Sequence, residues 1–152
     1  MAKQEYNDDS IVSLSVTEQM RLRPSMWGFD VSSINGLLLQ VKEIADNSFD
    51  EAQDRNKIYP VDITFFVSKD KSNYQCMIRD HGRGIPVGRI TDVFVGGFSS
   101  GKYKGDYGGA STGTNGIGSK AVSVFSKLFL AFTKRPDGFG YGRIERGNVK
   151  DR

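Results

Sequence analysis

The chain has 152 residues, a length typical of one domain and sufficient to bury a core. Its composition, 38% hydrophobic and 26% charged with a formal net charge of +3, is ordinary for a globular protein and does not by itself indicate a nucleic-acid-binding surface. A single cysteine, Cys76, excludes a disulfide framework and a cysteine-rich metal site. The first ten residues lack the apolar core of a signal peptide and no window could span a membrane, so we expect a cytoplasmic protein.

The N-terminal third predicts an arm and two helices. Residues 1–10 are polar and predict an arm. Thr17 to Leu22 predicts a short helix that stops before Pro24. A long helix is predicted from Ile34 to about Asn56, with Ser33 as its N-cap. Its buried face is predicted from apolar residues at helical spacing: Ile34, Leu37, Leu38, Val41, Ile44, Ala45 and Ala52.

A second stripe on this helix is acidic and amidic: Glu43, Asn47, Asp50, Glu51 and Asp54. A stripe of this kind is most often a solvated face. Two features argue against that interpretation here: the stripe contains no basic residue, and the weak helix formers Asp46, Asn47 and Ser48 stand together in mid-helix. A carboxylate and an amide one turn apart suit chemistry, because Glu43 can take a proton from water and the Asn47 carbonyl can hold a hard cation.

A hairpin follows, with alternating strands at Val61–Val67 and Tyr74–Ile78 around a turn at residues 68–73. The second strand runs into Asp80-His81-Gly82-Arg83-Gly84-Ile85-Pro86. This segment is either a simple turn or a place where glycines let the backbone approach a flat ligand while Asp80 offers an acceptor.

Nine of the 18 glycines lie between Gly96 and Gly118, after a short helix predicted at Arg89–Val95. The segment ends in Gly113-Thr114-Asn115-Gly116-Ile117-Gly118, which leads directly into an apolar-periodic helix. A glycine loop that opens a helix is an anion-binding arrangement. It has neither the Walker pattern nor a preceding strand, so a mobile lid over a polyphosphate fits better than a Walker or Rossmann loop. The helix that starts at the end of the segment weakens the alternative of a flexible linker. Strands are predicted at Leu128–Thr133 and Phe139–Glu145, joined by a turn.

Four features, in this order along the chain, resemble the ATP-binding domain of the gyrase, Hsp90, histidine-kinase and MutL superfamily. They are the acidic Asn-bearing helix, the Asp-x-Gly-x-Gly turn, the glycine-rich lid and the Gly-x-Gly start of a helix. Four stretches are most similar to the ATPase subunits of type IIA DNA topoisomerases, including gyrase B, topoisomerase IV and phage enzymes: YNDDSI…RLRPSMWG, EIADNSFDEA, RDHGRGIP and GTNGIGSKAVSVFS. The resemblance covers Tyr6 to about Arg146.

The resemblance implies an α+β two-layer sandwich, in which helices lie on one face of a mixed sheet and the nucleotide lies between helices and lid. It implies one ATP-binding domain over residues 1–152, with an arm at 1–10, a lid at 96–118, and no transducer or cleavage domain. Glu43 would be the general base, Asn47 would ligate Mg²⁺, and Asp80 would accept the adenine amino hydrogen.

The other implied nucleotide contacts fall into groups. Ile44, Ile78, Ile85 and Pro86 would surround the base, and Glu51 with Arg83 would form a supporting pair at the pocket edge. Tyr6 would reach the partner's site across a dimer, Lys102 would contact phosphate, and Arg135 would stand at the rim. The phosphates would be wrapped by Gly113, Thr114, Asn115, Gly116, Ile117, Gly118 and Ser119. Asp50 is the last of the implied nucleotide-binding residues.

Three positions depart from the family pattern: His81 replaces Asp or Asn, Trp27 replaces Tyr, and Asn115 replaces the His of bacterial gyrases. We interpret His81 as a turn residue without a catalytic role.

The implied function is ATP hydrolysis with Mg²⁺ that drives DNA strand passage. The partners would be DNA through the full enzyme, an A-type cleavage subunit and a nucleotide-dependent second copy, with no membrane. Two alternatives belong to the same superfamily. A phosphotransfer domain is disfavoured because His81, the only histidine, is wrongly placed. A non-hydrolytic nucleotide-binding or interaction module that acts with a partner topoisomerase polypeptide stays open.

Overall fold

The computed structural model describes residues 13–30, 32–53, 59–95 and 117–152. The predicted arm and all of the predicted lid up to residue 116 lie outside these ranges. The described helices are α1 (Val16–Leu22), α2 (Ile34–Gln53), α3 (Ile90–Phe94) and α4 (Gly118–Phe125). The described strands are β1 (Asp62–Val67), β2 (Tyr74–Arg79), β3 (Phe129–Arg135), β4 (Gly138–Glu145) and β5 (Asn148–Asp151).

Helix α1 begins with a capping box, in which two side chains satisfy backbone groups that the helix itself cannot. The Ser15 hydroxyl accepts the Glu18 N–H at 3.2 Å, and the Glu18 carboxylate accepts the Ser15 N–H at 2.8 Å. The Ser15 hydroxyl and the Ser15 backbone N–H both donate to the Glu18 carboxylate and hold the pKa of Glu18 below its usual value. The helix ends before Pro24, as predicted, and Pro24 opens a short 3₁₀ helix that reaches Trp27.

Helix α2 begins where the sequence predicts. Ser33 acts as the N-cap, since its hydroxyl accepts the Gly36 N–H at 3.2 Å. The predicted apolar face is partly wrong, because Ile34 and Leu38 are exposed by 65% and 54%. The predicted end near Asn56 falls in residues 54–58, outside the described part of the chain.

The polar stripe of α2 faces the rest of the protein and is not a solvated face. Asp50 is only 8% exposed and Ser48 only 7%. Glu43, Asn47 and Glu51 are half-buried. The helix packs against α4 and against β2. Glu43 lies beside Gly118 of α4, and Glu51 contacts Arg83 in the turn after β2.

The hairpin forms as predicted, with β1 antiparallel to β2 and Ile63 opposite Ile78. Asp70 organises its turn by accepting the Ser72 N–H at 3.1 Å and the Ser72 hydroxyl at 2.6 Å. Hydrogen bonds from the Ser68 and Ser72 hydroxyls lower the pKa of Asp70 to about 2. The carboxylate is therefore ionised, and the turn intact, across the neutral range.

A second antiparallel sheet has the order β3–β4–β5. The sequence pattern does not predict β5, which is a short exposed strand that pairs with β4 beside a register irregularity at Arg143 and Ile144. The α+β class is confirmed, and within the described residues the expected mixed sheet takes the form of two antiparallel sheets.

Small residues on one face of this sheet let α3 and the 3₁₀ helix at Val87–Arg89 lie directly on it. A Cβ on Gly140 would lie 3.4 Å from the Val87 backbone, and one on Gly142 would lie 3.2 Å from the Thr91 side chain. The opposite face presents Leu130, Phe132 and Phe139, each exposed by 44% or more.

The main core joins α1, the segment before α2, and α4. Its buried members are Met20, Phe29, Ala121, Val122 and Val124, with Trp27, Ile44, Ile117 and Phe129 among the residues packed against it. Trp27 thus packs onto the core. No helix in the described ranges is long and apolar enough to cross a membrane.

We predict that Gly36→Ala destabilises the fold, although alanine normally favours a helix interior by about 1 kcal/mol. A Cβ at this position would lie 1.6 Å from the Asp30 carbonyl oxygen, so backbone must move. The expected loss in the free energy of unfolding is roughly 1–3 kcal/mol, measured by urea denaturation. Gly88→Ala is the control, because nothing lies within 4 Å of its Cβ position. Equal stability of Gly36→Ala and wild type would contradict the close packing of Gly36 against the Asp30 backbone.

Candidate functional site

The end of β2 and the middle of α2 meet at Asp80. Its Oδ2 accepts a hydrogen bond from the Ser48 hydroxyl at 2.9 Å, and its Oδ1 accepts the Gly82 N–H at 3.0 Å. The carboxylate is exposed, whereas Ser48 is buried. One donor from the helix and one from its own turn therefore fix the orientation of an acceptor that faces solvent.

A second link joins α2 to the same turn. The Glu51 Oε1 accepts the backbone N–H of Arg83 at 2.9 Å and lies 3.1 Å from the Arg83 Nε. A Cβ on Gly82 would lie 2.2 Å from the Glu51 side chain, so this close approach requires glycine. The pair expected between Glu51 and Arg83 is present in the structure.

The rest of the turn is held by β3. Gly84 has a φ of +73°, and a Cβ there would lie 2.7 Å from the Thr133 hydroxyl oxygen. The Thr133 hydroxyl accepts the Ile85 N–H at 2.9 Å and donates to the Ile85 carbonyl at 3.1 Å. Arg135 donates from Nη1 to the carbonyls of Arg83 and Gly84 at 3.2 and 3.0 Å. The segment after Asp80 thus has its backbone fixed from two sides.

The other half of the site lies one to two turns earlier on α2. The Glu43 carboxylate reaches the first residue of α4, since a Cβ on Gly118 would lie 1.8 Å from its Oε2. The Asn47 Nδ2 donates to the Glu43 carbonyl at 2.9 Å, so the amide oxygen is the atom that suits a cation. Glu43 is therefore placed where the N–H groups and the positive end of the α4 dipole also point.

Comparison with known proteins agrees with this arrangement. Residues 33–142 match the model of the histidine kinase-, DNA gyrase B- and HSP90-like ATPase family. The chain belongs to this ATPase family. The match covers more than half of the chain and includes both halves of the site around α2.

Relatives of this chain carry topoisomerase names. The B-type subunit of DNA topoisomerase 4 from Borreliella burgdorferi is 35% identical over 139 residues, which are 89% of this chain and 22% of the relative. The corresponding protein of Enterococcus faecalis is 36% identical, over 94% of this chain and 21% of the relative. The B-type subunit of DNA gyrase from Streptococcus pneumoniae is 32% identical, over 96% and 23%. The chain spans about a fifth of the length of these relatives.

The structure brings together most of the predicted site residues that it describes. Ile78 and Ile85 are half-buried, Pro86 is exposed, and Ile44 packs against the core. Ile117 also packs against the core and Ser119 is buried, so at these two positions the backbone is the part available to a ligand. The predicted contacts outside the described residues are Tyr6, Lys102, Gly113, Thr114, Asn115 and Gly116.

Two residues of the candidate site, Ser48 and Thr133, are not predicted from the sequence. The sequence does draw attention to Ser48, because serine is a weak helix former and here stands in the middle of a helix. It does not identify Asp80 as the hydrogen-bond partner of Ser48. Thr133 carries no signal, because a threonine in a strand is ordinary.

We predict that Thr133→Val destabilises the site. Valine has nearly the same shape but leaves the Ile85 N–H without its acceptor, which costs about 1–3 kcal/mol in a buried setting. Hydrogen exchange at Ile85 should accelerate, and urea denaturation should show the loss. Thr133→Ser keeps the hydroxyl and is the control for the hydrogen bonds. Slow exchange at Ile85 in Thr133→Val would show that the hydroxyl does not hold this segment.

Proposed function

We propose that this chain binds ATP with Mg²⁺ and hydrolyses it as the ATPase domain of a type II DNA topoisomerase subunit. The family membership and the names of its relatives support the proposal. The observation that carries it is the meeting of Glu43 with Gly118: a carboxylate is placed at the start of a helix that follows a glycine-rich segment. Since the chain covers about a fifth of its relatives, strand passage is proposed for the larger enzyme.

Asp80 is proposed to recognise the base. Each oxygen of an ionised carboxylate can accept more than one hydrogen bond, so the donors from Ser48 and Gly82 leave capacity for another. The adenine amino group is a donor and fits this acceptor. Guanine presents a carbonyl at the same place, which would set acceptor against acceptor.

Glu43 is proposed to accept the proton of the water that attacks the terminal phosphate. The N–H groups in the first turn of α4 and the positive end of its dipole would stabilise the negative charge of the phosphates. Asn47 would hold Mg²⁺ through its amide oxygen, and the bound ion would neutralise phosphate charge. The hydrogen bond from the Asn47 Nδ2 to the Glu43 carbonyl engages the nitrogen of the amide, which supports the amide oxygen as the proposed ligand atom.

At the level of the whole enzyme, we propose that ATP closes a dimer of the subunit and that hydrolysis reopens it. DNA and an A-type cleavage subunit are the proposed partners. Light scattering with and without a non-hydrolysable ATP analogue tests the dimer. If the mass stays the same in both conditions, for the chain alone and with its partner polypeptide, nucleotide does not control association.

The base assignment predicts selectivity. Calorimetry should show that ATP analogues bind and that GTP does not. Asp80→Ala should lower ATP binding by roughly 1.5–3 kcal/mol, the range for a hydrogen bond to a charged group. Asp151→Ala, at an exposed position on β5, is the control for loss of one negative charge. Equal affinity of the wild type for ATP and GTP would remove Asp80 from this role.

The catalytic assignment predicts that one substitution impairs ATP hydrolysis while another impairs ATP binding. Glu43→Gln keeps the shape but cannot act as a base, so hydrolysis should fall roughly 10²–10⁴-fold while ATP affinity changes little. Asn47→Ala should instead weaken Mg²⁺-ATP binding. Both are measured by single-turnover hydrolysis and by calorimetry.

Two results would count against this assignment. If Glu43→Gln abolishes ATP binding, and the residual turnover falls only in proportion to that loss of binding, Glu43 has a structural role. If the wild type binds ATP but shows no turnover, alone or with a partner polypeptide, the chain is a non-hydrolytic nucleotide-binding module.

A further inference from the structure

Lys120 is a buried cation in the first turn of α4. The residue is only 3% exposed. The Nζ donates to the carbonyl of Val93 at 2.9 Å and lies 3.3 Å from the carbonyl of Asp92. Burial lowers the pKa of its ammonium group, against a smaller opposing effect of Asp92. A buried ammonium needs such partners, because an unpaired charge in the interior costs several kcal/mol or more.

The carbonyls that Lys120 binds belong to the end of α3. The last carbonyls of a helix have no partner within that helix, and a cation there also interacts favourably with the helix dipole. The Val95 N–H returns to the Thr91 carbonyl at 2.9 Å, and the Ser123 hydroxyl is within hydrogen-bond distance of the Phe94 carbonyl. Side chains of α4 therefore supply the C-terminal cap of α3.

The same turn of α4 contacts α2 through Gly118. The approach is close enough that a Cβ on Gly118 would lie 1.8 Å from the Glu43 Oε2 and 2.7 Å from its carboxyl carbon. The residue that contacts Glu43 and the residue that binds α3 thus belong to a single helical turn. A shift of this turn would change the position of the backbone against which the Glu43 carboxylate rests.

We propose that Lys120 is a positioning residue that binds the end of α3 and thereby holds the first turn of α4 at the place where Gly118 meets Glu43. It acts through backbone carbonyls and does not bind phosphate. Its effect on the rate of hydrolysis rests on the proposed function, whereas its binding of α3 does not.

The first experiment measures the link between α3 and α4 without nucleotide. Hydrogen exchange is followed in Lys120→Met, which keeps most of the apolar stem and removes the donors. Exchange of the amides in residues 90–95 and 118–122 should accelerate at least about tenfold relative to the wild type, because the cap contributes to the local opening free energy. Lys127→Met, at a lysine just after α4, is the matched control and should match the wild type. Unchanged exchange in Lys120→Met would overturn the proposal.

The second experiment separates positioning from phosphate binding. In single-turnover hydrolysis, Lys120→Met should be slower by about tenfold to a hundredfold, the usual effect of a small misplacement of catalytic groups. Its dissociation constants for adenosine, ADP and ATP should each stay within about threefold of the wild type, because no charge contact is lost. A loss of affinity that grows with the number of phosphates would overturn the proposal and make Lys120 a phosphate ligand.

Two further variants keep the test decisive if Lys120→Met does not fold. Lys120→Arg keeps a cationic donor and should restore part of the rate. Ser123→Ala removes only the hydroxyl near Phe94 and should accelerate exchange at the end of α3 to a smaller degree. Wild-type exchange and rate in Ser123→Ala, together with loss of the rate in Lys120→Arg despite its cationic donor, would count against the cap. Failure of the wild type to bind ATP would count against the proposed function alone, since hydrogen exchange tests the cap separately.

Discussion

The inward-facing polar side of α2 is the constraint on which the rest of the described structure depends. Buried polar groups cost free energy unless they are hydrogen-bonded, so the elements packed against this helix must supply partners. The turn after β2 supplies them: Asp80 accepts from Ser48, and Arg83 binds Glu51 through its backbone and its side chain. The shape of the turn follows from these links, and so does the direction in which Asp80 faces.

Glycine makes these approaches possible at three different points. Gly82 lets the turn lie against Glu51, Gly84 takes a left-handed backbone beside β3, and Gly118 lets α4 begin at Glu43. At each point a Cβ would stand within 3 Å of another atom. Two glycines of the Asp-x-Gly-x-Gly pattern and one of the glycine-rich segment therefore have separate steric reasons, which the pattern alone does not distinguish.

Much of the local structure could be predicted because it depends on local chemistry. The N-cap at Ser33 and the hairpin around residues 68–73 follow from side chains within a few residues of one another. The orientation of α2 is harder to predict. Ile34 and Leu38 match the apolar face by spacing but are exposed, whereas Ala45 and Ala52 farther along the same face are buried. Spacing gives the faces of a helix and does not tell over what length, or on how many sides, the fold covers them.

The remaining site residues depend on contacts between distant segments. Thr133 meets Ile85 across 48 positions, and Lys120 meets Val93 across 27. The contact of Thr133 and Arg135 with the segment after Asp80 has a thermodynamic consequence. A ligand that binds this segment only when it is ordered also stabilises β3. A mutation that loosens the three-stranded sheet weakens ligand binding to the extent that it lowers the fraction of molecules in which the segment is ordered. Thermal stability of the sheet and occupancy of the site are thus reciprocal readouts of one equilibrium.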